Sequence, residues 1–108
     1  MDIPLSDRTT NVLETLIKEP LRTRVRKILV NEVGKTVPFC SGETPEGMDR
    51  IRFAVIKLTA EDVEKLDYAV KEAQTDWRDL LMAAGFGYSA KEHDRWYEKV
   101  MGIMRKAG

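Results

Sequence analysis

The sequence predicts an all-α protein, a single-domain bundle of about six short helices. Apolar residues recur at helical spacing in most segments, and helix-start and helix-stop residues separate those segments. A chain of 108 residues with an ordinary apolar content is long enough to bury one core. We expect one domain, 1–108, made of an N-terminal helix pair (6–34), a loop (35–44) and a four-helix C-terminal part (45–106).

The N-terminal helix pair is divided at Pro20, because proline disfavours helix in the residue before it. Ser6 or Asp7 can cap the first helix. Its apolar stripe consists of Val12, Leu13, Leu16 and Ile17. The second helix begins at Pro20 and carries apolar residues at helical spacing, namely Leu21, Val25, Ile28, Leu29 and Val33. We expect Gly34 to end it in a left-handed conformation.

The densest apolar run in the chain is Ile51–Leu58. Thr44-Pro45-Glu46 is a helix-start signal, and the run contains apolar residues at helical spacing, so we favour a helix. Phe53 and Ile56 fall on its other faces, and a helix that is apolar all round belongs in the middle of a domain. A strand here, which would make the domain α+β, is the alternative.

Three further helices are expected after this run. Thr59–Asp62 is close to a capping box and predicts a helix that buries Val63, Leu66, Ala69, Val70 and Ala73. Thr75 is expected to cap a short helix from Asp76 to Ala84, ended by Gly85. Its inward residues are expected to be Trp77, Leu80, Leu81 and Ala84. A full capping box, Ser89–Glu92, opens a last helix that runs toward Lys106.

The stretch from Thr75 to Gly87 reads TDWRDLLMAAGFG and is followed by His93 and Trp96. This pattern resembles a group of small bacterial helical proteins, in which an apolar helix and an acidic helix precede a Trp-Arg-Asp helix that ends in Ala-Gly-Phe. The resemblance covers about the last sixty residues. It implies a helical fold and a bacterial, cytosolic setting, and it implies no particular activity.

The amino-acid composition excludes or disfavours several classes of protein function. The 18 basic and 18 acidic residues balance, which argues against a polyanion as the main partner. The single cysteine, Cys40, excludes an internal disulfide and suits a reducing compartment. No apolar run approaches membrane-spanning length, and the first residues do not resemble a secretion signal. We therefore expect a cytoplasmic protein without a membrane association.

Residues that could carry catalysis are few. His93 is the only histidine and borders the apolar stripe of the last helix, so a partly buried structural role fits it better than general-base catalysis. Cys40 would need His93 as its partner and is better explained as a free thiol. One histidine and one cysteine give no metal-ligand cluster, and no glycine pattern predicts a phosphate loop. We expect no enzyme activity, metal or cofactor.

A basic cluster in the second predicted helix is the candidate for phosphate contacts: Arg22, Arg24, Arg26 and Lys27. On a helical wheel Arg24 lies on one side of the apolar stripe, and Arg22 with Arg26 lies on the other. The cluster therefore flanks the core face and does not form one basic strip.

The last helix has more apolar surface than a small core requires. Trp96, Val100 and Ile103 can fill the core role, which leaves a candidate protein interface of Tyr97, Met101 and Met104. The alternative is that the N-terminal helix pair covers this side.

The leading functional hypothesis is a small, non-catalytic protein that acts through contacts with another protein or with itself as a homodimer. The runner-up is an accessory nucleic-acid-binding protein that uses the Arg22–Lys27 rim, and an enzyme comes third.

Overall fold

Six α-helices and one 3₁₀ turn form the part of the chain that the computed structural model describes, residues 4–34, 45–87 and 91–107, with side chains for 4–34, 48–87 and 91–102. The helices are α1 (Asp7–Leu16), α2 (Leu21–Asn31), α3 (Pro45–Glu61), α4 (Leu66–Thr75), α5 (Trp77–Ala84) and α6 (Lys91–Ala107). The 3₁₀ turn, Val63–Lys65, lies between α3 and α4.

The predicted all-α, single-domain fold is confirmed. No strand occurs in the described ranges, and the radius of gyration of 12.7 Å agrees with the roughly 13 Å typical of a single domain of about 100 residues. None of the described helices has the length and apolar content needed to cross a bilayer. The predicted 35–44 loop and the Ser89 cap lie outside the described residues.

The long helix α3 is the centre of the bundle. It contacts α1, α4, α5 and α6, and it contains the whole apolar run Ile51–Leu58. Every side chain from Ile51 to Ile56 is at most 1% exposed, so the helix is buried on all faces in this stretch. The helical interpretation of the run is confirmed, and the strand alternative is wrong.

A charged side chain lies within this buried stretch. Arg52 is 1% exposed, and its Nε donates a hydrogen bond of 2.9 Å to the carbonyl of Val33, just after α2. Its Nη1 donates a second bond of 2.9 Å to the carbonyl of Pro4, just before α1. One guanidinium therefore ties the flanks of both N-terminal helices to α3.

A buried carboxylate one turn earlier in α3 holds the start of α1. Asp49 is 5% exposed, and its Oδ1 accepts hydrogen bonds from Ser6 Oγ at 2.6 Å and Thr9 Oγ1 at 2.9 Å. Ser6 is the N-cap of α1, as predicted, and its Oγ accepts the N–H of Thr9. The negative charge of Asp49 near the N-terminus of α1 also interacts favourably with the dipole of that helix.

The end of α5 is held from α3 in the same way. Gly85 ends α5 with φ of +82°, as predicted, because this left-handed conformation has little steric cost for glycine. Lys57 Nζ donates to the carbonyl of Ala84 at 2.6 Å, and Arg50 donates to the carbonyl of Phe86. Helix-end carbonyls that α5 itself cannot satisfy are thus bonded by α3.

The prediction for Gly34 was wrong. Helix α2 ends at Asn31, and Gly85 is the positive-φ residue of the described chain. Gly34 is close to other atoms instead: a Cβ there would lie 3.2 Å from Arg52 Nη2 and 3.2 Å from the Val30 carbonyl. A side chain at this position would therefore require a small shift of the buried guanidinium or of the α2 backbone.

Two predicted helix starts were also wrong. Thr59 lies inside α3, fully buried, and its hydroxyl donates to the Val55 carbonyl. Asp62 is the cap, and Val63, expected in the core, is 54% exposed because it belongs to the 3₁₀ turn. Asp76, rather than Thr75, caps α5 by accepting the N–H of Asp79.

Replacing Arg52 with methionine should destabilise the fold without removing much apolar volume. The buried Val33 carbonyl would lose its donor, and an unsatisfied buried group costs about 1–3 kcal/mol. We expect the free energy of unfolding, measured in urea, to fall by at least that amount. Arg22→Met is the matched control, because Arg22 also donates to two carbonyls but from a half-buried position. Equal losses in both variants would contradict a special role for Arg52.

Candidate functional site

The structure divides the predicted basic cluster. Arg22 donates to the carbonyls of Ile17 at 2.8 Å and Glu14 at 3.1 Å, and so caps the end of α1. Arg26 Nη2 lies 3.8 Å from the carboxylate of Glu14. Arg22 and Arg26, which the helical wheel places on the same side of the apolar stripe, therefore both face α1.

Arg24 and Lys27 are exposed on the other side of α2. They line a shallow depression together with Glu19, Pro20 and Thr23. Glu19 accepts hydrogen bonds from the Thr23 backbone and hydroxyl, and these bonds lower the pKa of its carboxyl group. A carboxylate thus shares this depression with the two cations, and phosphate binding by the cluster stays a prediction.

Two of the three candidate interface residues on α6 contact other parts of the fold. The Tyr97 ring stacks on Phe53 at a centroid distance of 5.9 Å, and the guanidinium of Arg8, in α1, lies 4.5 Å from the Tyr97 centroid. Met101 is 9% exposed and belongs to the core. The Arg8 contact places α1 over Tyr97, and coverage of this side by the whole N-terminal helix pair stays a prediction. The Met104 side chain lies outside the described residues, so self-association through α6 stays a prediction.

His93 is buried among aromatic rings. It is 4% exposed, and its ring lies edge-on to Phe53 at 5.7 Å and to Phe86 at 6.5 Å. Among the residues that the structure describes, neither ring nitrogen finds a hydrogen-bond partner, although Nε2 is 3.5 Å from a carboxylate oxygen of Asp94. Burial lowers the pKa of His93, and this outweighs the opposing effect of Asp94. The burial agrees with the position expected from the sequence, and a purely structural role for His93 stays a prediction. Cys40 lies outside the described residues.

Three carboxylates converge where α4 meets α5. Glu72, Asp76 and Asp79 present oxygens that lie within 4.8 Å of one another. Asp76 is already the cap of α5, which explains the approach of Asp79 to it. Asp76 and Asp79 are exposed, as acidic groups commonly are without a bound ion.

A cleft beside α5 combines apolar and cationic side chains. We call it the α5 cleft, and it has a volume of about 430 Å³. Its lining residues are Arg50, Trp77, Arg78, Leu81, Met82 and Gly87. None of these residues is acidic. The cleft arises because α5 lies against α3, which brings Arg50 next to a segment about thirty residues later in the chain.

The exposed side of the α5 cleft is built from residue types common in protein interfaces. Met82 is 53% exposed and, with Val63 and Tyr68, is one of three large apolar side chains that are exposed in the described part of the chain. The guanidinium of Arg78 lies 5.1 Å from the ring centroid of the half-buried Trp77, a cation–π contact. A Cβ on Gly87 would overlap the Met82 sulfur, so glycine permits the side chain to lie over the corner after α5.

The α5 cleft was not predicted from the sequence, which indicated no role for Met82 or Arg78. Leu81 is buried as expected, whereas Trp77, also expected to point inward, is only half-buried. The signal that could have found it is the position of Arg78 and Met82, which are four residues apart and so share one face of a helix. The contribution of Arg50 could not be found in this way, because it depends on how α3 and α5 pack.

No protein-family model matches the chain. The comparisons with curated proteins and with solved structures likewise give no significant match. The resemblance of the Thr75–Gly87 stretch to small bacterial helical proteins therefore stays a hypothesis.

Acid should destabilise the fold through His93. Because its pKa is lowered in the folded chain, the unfolded chain takes up a proton at a higher pH than the folded chain does. The contribution of neutral His93 to the stability of the folded chain is therefore complete above the ordinary pKa of 6.5. This contribution is lost progressively as the pH falls below that value. We expect the free energy of unfolding to decline between about pH 7 and about pH 5, before most carboxylates titrate.

The control for this prediction is His93→Leu, which cannot titrate. Its free energy of unfolding, measured by urea denaturation over the same range, should vary less with pH than that of the wild type. Identical pH profiles for the two proteins would show that His93 does not cause the decline.

Proposed function

We propose that this chain is a non-catalytic helical module that binds another protein through the α5 cleft. The observation that carries the proposal is the exposure of Met82 beside Trp77 and Arg78, in a concave surface next to a well-packed core. Tryptophan and arginine dominate binding energy in many interfaces, and methionine adapts to partners of different shape.

The supporting parts of the cleft are held firmly. Arg50 is bonded to the carbonyl of Phe86, and Leu81 is 2% exposed. The part of the cleft formed by Arg50 and Leu81 is thus preorganised for binding. Mainly the side chains of Met82 and Arg78 would become ordered on binding, so the entropic cost of association is small. We further infer a bacterial cytosolic setting, supported by the resemblance described above and by the single cysteine, Cys40.

The first test is a selection of short random peptides displayed on phage against the whole chain. We expect peptides that bind the wild type and lose binding to Met82→Lys, because the substitution places a hydrated charge in the apolar part of the cleft. Binding of each selected peptide is measured by fluorescence anisotropy.

The matched control for this test is Val63→Lys. Val63 is 54% exposed, close to the 53% of Met82, and does not line the α5 cleft. Both variants should unfold at the same urea concentration as the wild type. A selection without any enriched peptide, or an equal loss of binding in the two variants, would contradict the proposal.

A second substitution tests the shape of the cleft without changing charge. In Gly87→Ala the added methyl group would overlap the Met82 sulfur and lie 3.0 Å from its Cγ, and would force this flexible side chain to move. We expect weaker binding of the selected peptides with little change in the free energy of unfolding. Unchanged peptide affinity would mean that Met82 does not contact the peptide in the position seen here.

A further inference from the structure

A buried histidine lies in the contact between α6 and the rest of the bundle. The His93 ring meets the rings of Phe53 in α3 and Phe86 just after α5, and all three side chains are buried. Phenyl rings accept no conventional hydrogen bond, and among the described residues neither nitrogen of the imidazole ring finds a partner. A proton on His93 would therefore place a charge in surroundings that do not replace its hydration.

The charged groups around His93 offer little compensation for such a charge. They are Asp94 on α6, Arg8 on α1, and Asp49 and Arg50 on α3. Asp94 is paired with Arg8 at 2.6 Å, and Asp49 accepts two hydroxyl groups at the start of α1. Burial lowers the pKa of His93, and the opposing effects of the two carboxylates and the two arginines leave it lowered. His93 is thus neutral in the packed helix at neutral pH.

Two polar contacts between α6 and α1 lie where water can reach them. The ion pair of Arg8 with Asp94 joins side chains that are 34% and 51% exposed. Asn11 donates to the Tyr97 hydroxyl over a long distance of 3.4 Å, also at an exposed position. Exposed ion pairs add little stability, because water and salt weaken them. These two contacts therefore oppose a separation of the two helices only weakly.

Few side chains attach α6 to the core. Among its described side chains, 91–102, the buried ones are His93, Val100 and Met101. His93 belongs to the first turn and the other two follow seven and eight residues later, two turns along the same helix. The burial that holds α6 in place therefore depends in large part on one side chain that can take up a proton.

Other helices are joined to α3 by polar bonds that do not involve α6. Asp49 holds the start of α1, Arg52 bonds the backbone beside α1 and α2, and Lys57 bonds the end of α5. These bonds connect groups that are buried or partly buried, where water competes less for them. We therefore expect the contacts of α1, α2 and α5 with α3 to persist when α6 moves away.

We propose that α6 is a pH-sensitive element of the fold: protonation of His93 in mild acid releases α6 from α1 and α3, while the other helices stay packed. The proton favours the released state because the imidazolium is fully hydrated only there. Release uncovers the rings of Phe53 and Phe86, which are buried at neutral pH. It is a separate step from unfolding of the whole chain, and it does not depend on binding at the α5 cleft.

The experiment measures amide hydrogen exchange of the whole chain by nuclear magnetic resonance at about pH 7.5 and about pH 5.5, on either side of the ordinary histidine pKa. Exchange rates are corrected for the intrinsic pH dependence of the chemical step and converted to opening constants. The reporters are the amides of residues 95–102 in α6, which follow the first helical turn, and the reference is the amides of 51–58 in α3. His93→Leu, which cannot titrate, is the control.

We expect α6 amides to open at least about ten times more often than α3 amides at both pH values, as in a local opening. Between the two pH values the opening constant of α6 should rise roughly tenfold in the wild type. This is the effect of one group that titrates with the ordinary pKa of 6.5 when released and stays neutral when packed. In His93→Leu the opening constant should not change with pH. Each ratio is taken within one protein, so a difference in overall stability cancels.

Three outcomes would overturn the inference. Equal opening constants for α6 and α3 amides would show that His93 acts only through unfolding of the whole chain. This comparison uses the wild type alone, so it remains decisive if His93→Leu does not fold. An opening constant of α6 that is the same at both pH values would exclude His93 as a trigger. An equal rise in the wild type and in His93→Leu would assign the release to another titrating group.

Discussion

The guanidinium of Arg52 is the constraint on which the packing of the N-terminal half depends. A buried arginine is stable only if its donors are satisfied, because removing a charge from water is costly. Here the backbone just before α1 and just after α2 supplies the acceptors, at Pro4 and Val33. The two N-terminal helices cannot shift along α3 without breaking these bonds. The same guanidinium lies so close to Gly34 that a Cβ there would be 3.2 Å from Arg52 Nη2.

Charged residues elsewhere in α3 extend this arrangement to the remaining helices. Asp49 holds the N-cap of α1, Lys57 bonds the last carbonyl of α5, and Arg50 bonds the carbonyl of Phe86 just after α5. A helix whose apolar residues are buried all round thus also fixes the ends of its neighbours through its few polar ones. The α5 cleft is a consequence, because the bond from Arg50 to Phe86 holds the corner that carries Gly87 against α3.

Helix positions could largely be predicted from the sequence, because they depend on residues that are close together in the chain. Examples are the apolar periodicity within each helix, the N-cap Ser6 and the helix-ending Gly85. The errors concern residues whose roles depend on distant partners. Thr59 has the chemistry of a cap, but burial against other helices directs its hydroxyl to Val55 within α3. Arg52 resembles any surface arginine until Pro4 and Val33 are placed beside it. The α5 cleft joins α3 to α5, and local patterns contain no information about that contact.

The most direct test of this account is nuclear magnetic resonance of the Arg52 side chain at neutral pH. If the guanidinium is buried and bonded as described, its Nε–H exchanges slowly with solvent and shows a scalar coupling through the hydrogen bond to the Val33 carbonyl, 2.9 Å away. The Nε–H of the exposed Arg95 serves as the internal reference for fast exchange. An Arg52 Nε–H that exchanges as fast as that of Arg95, without the coupling, would contradict the account.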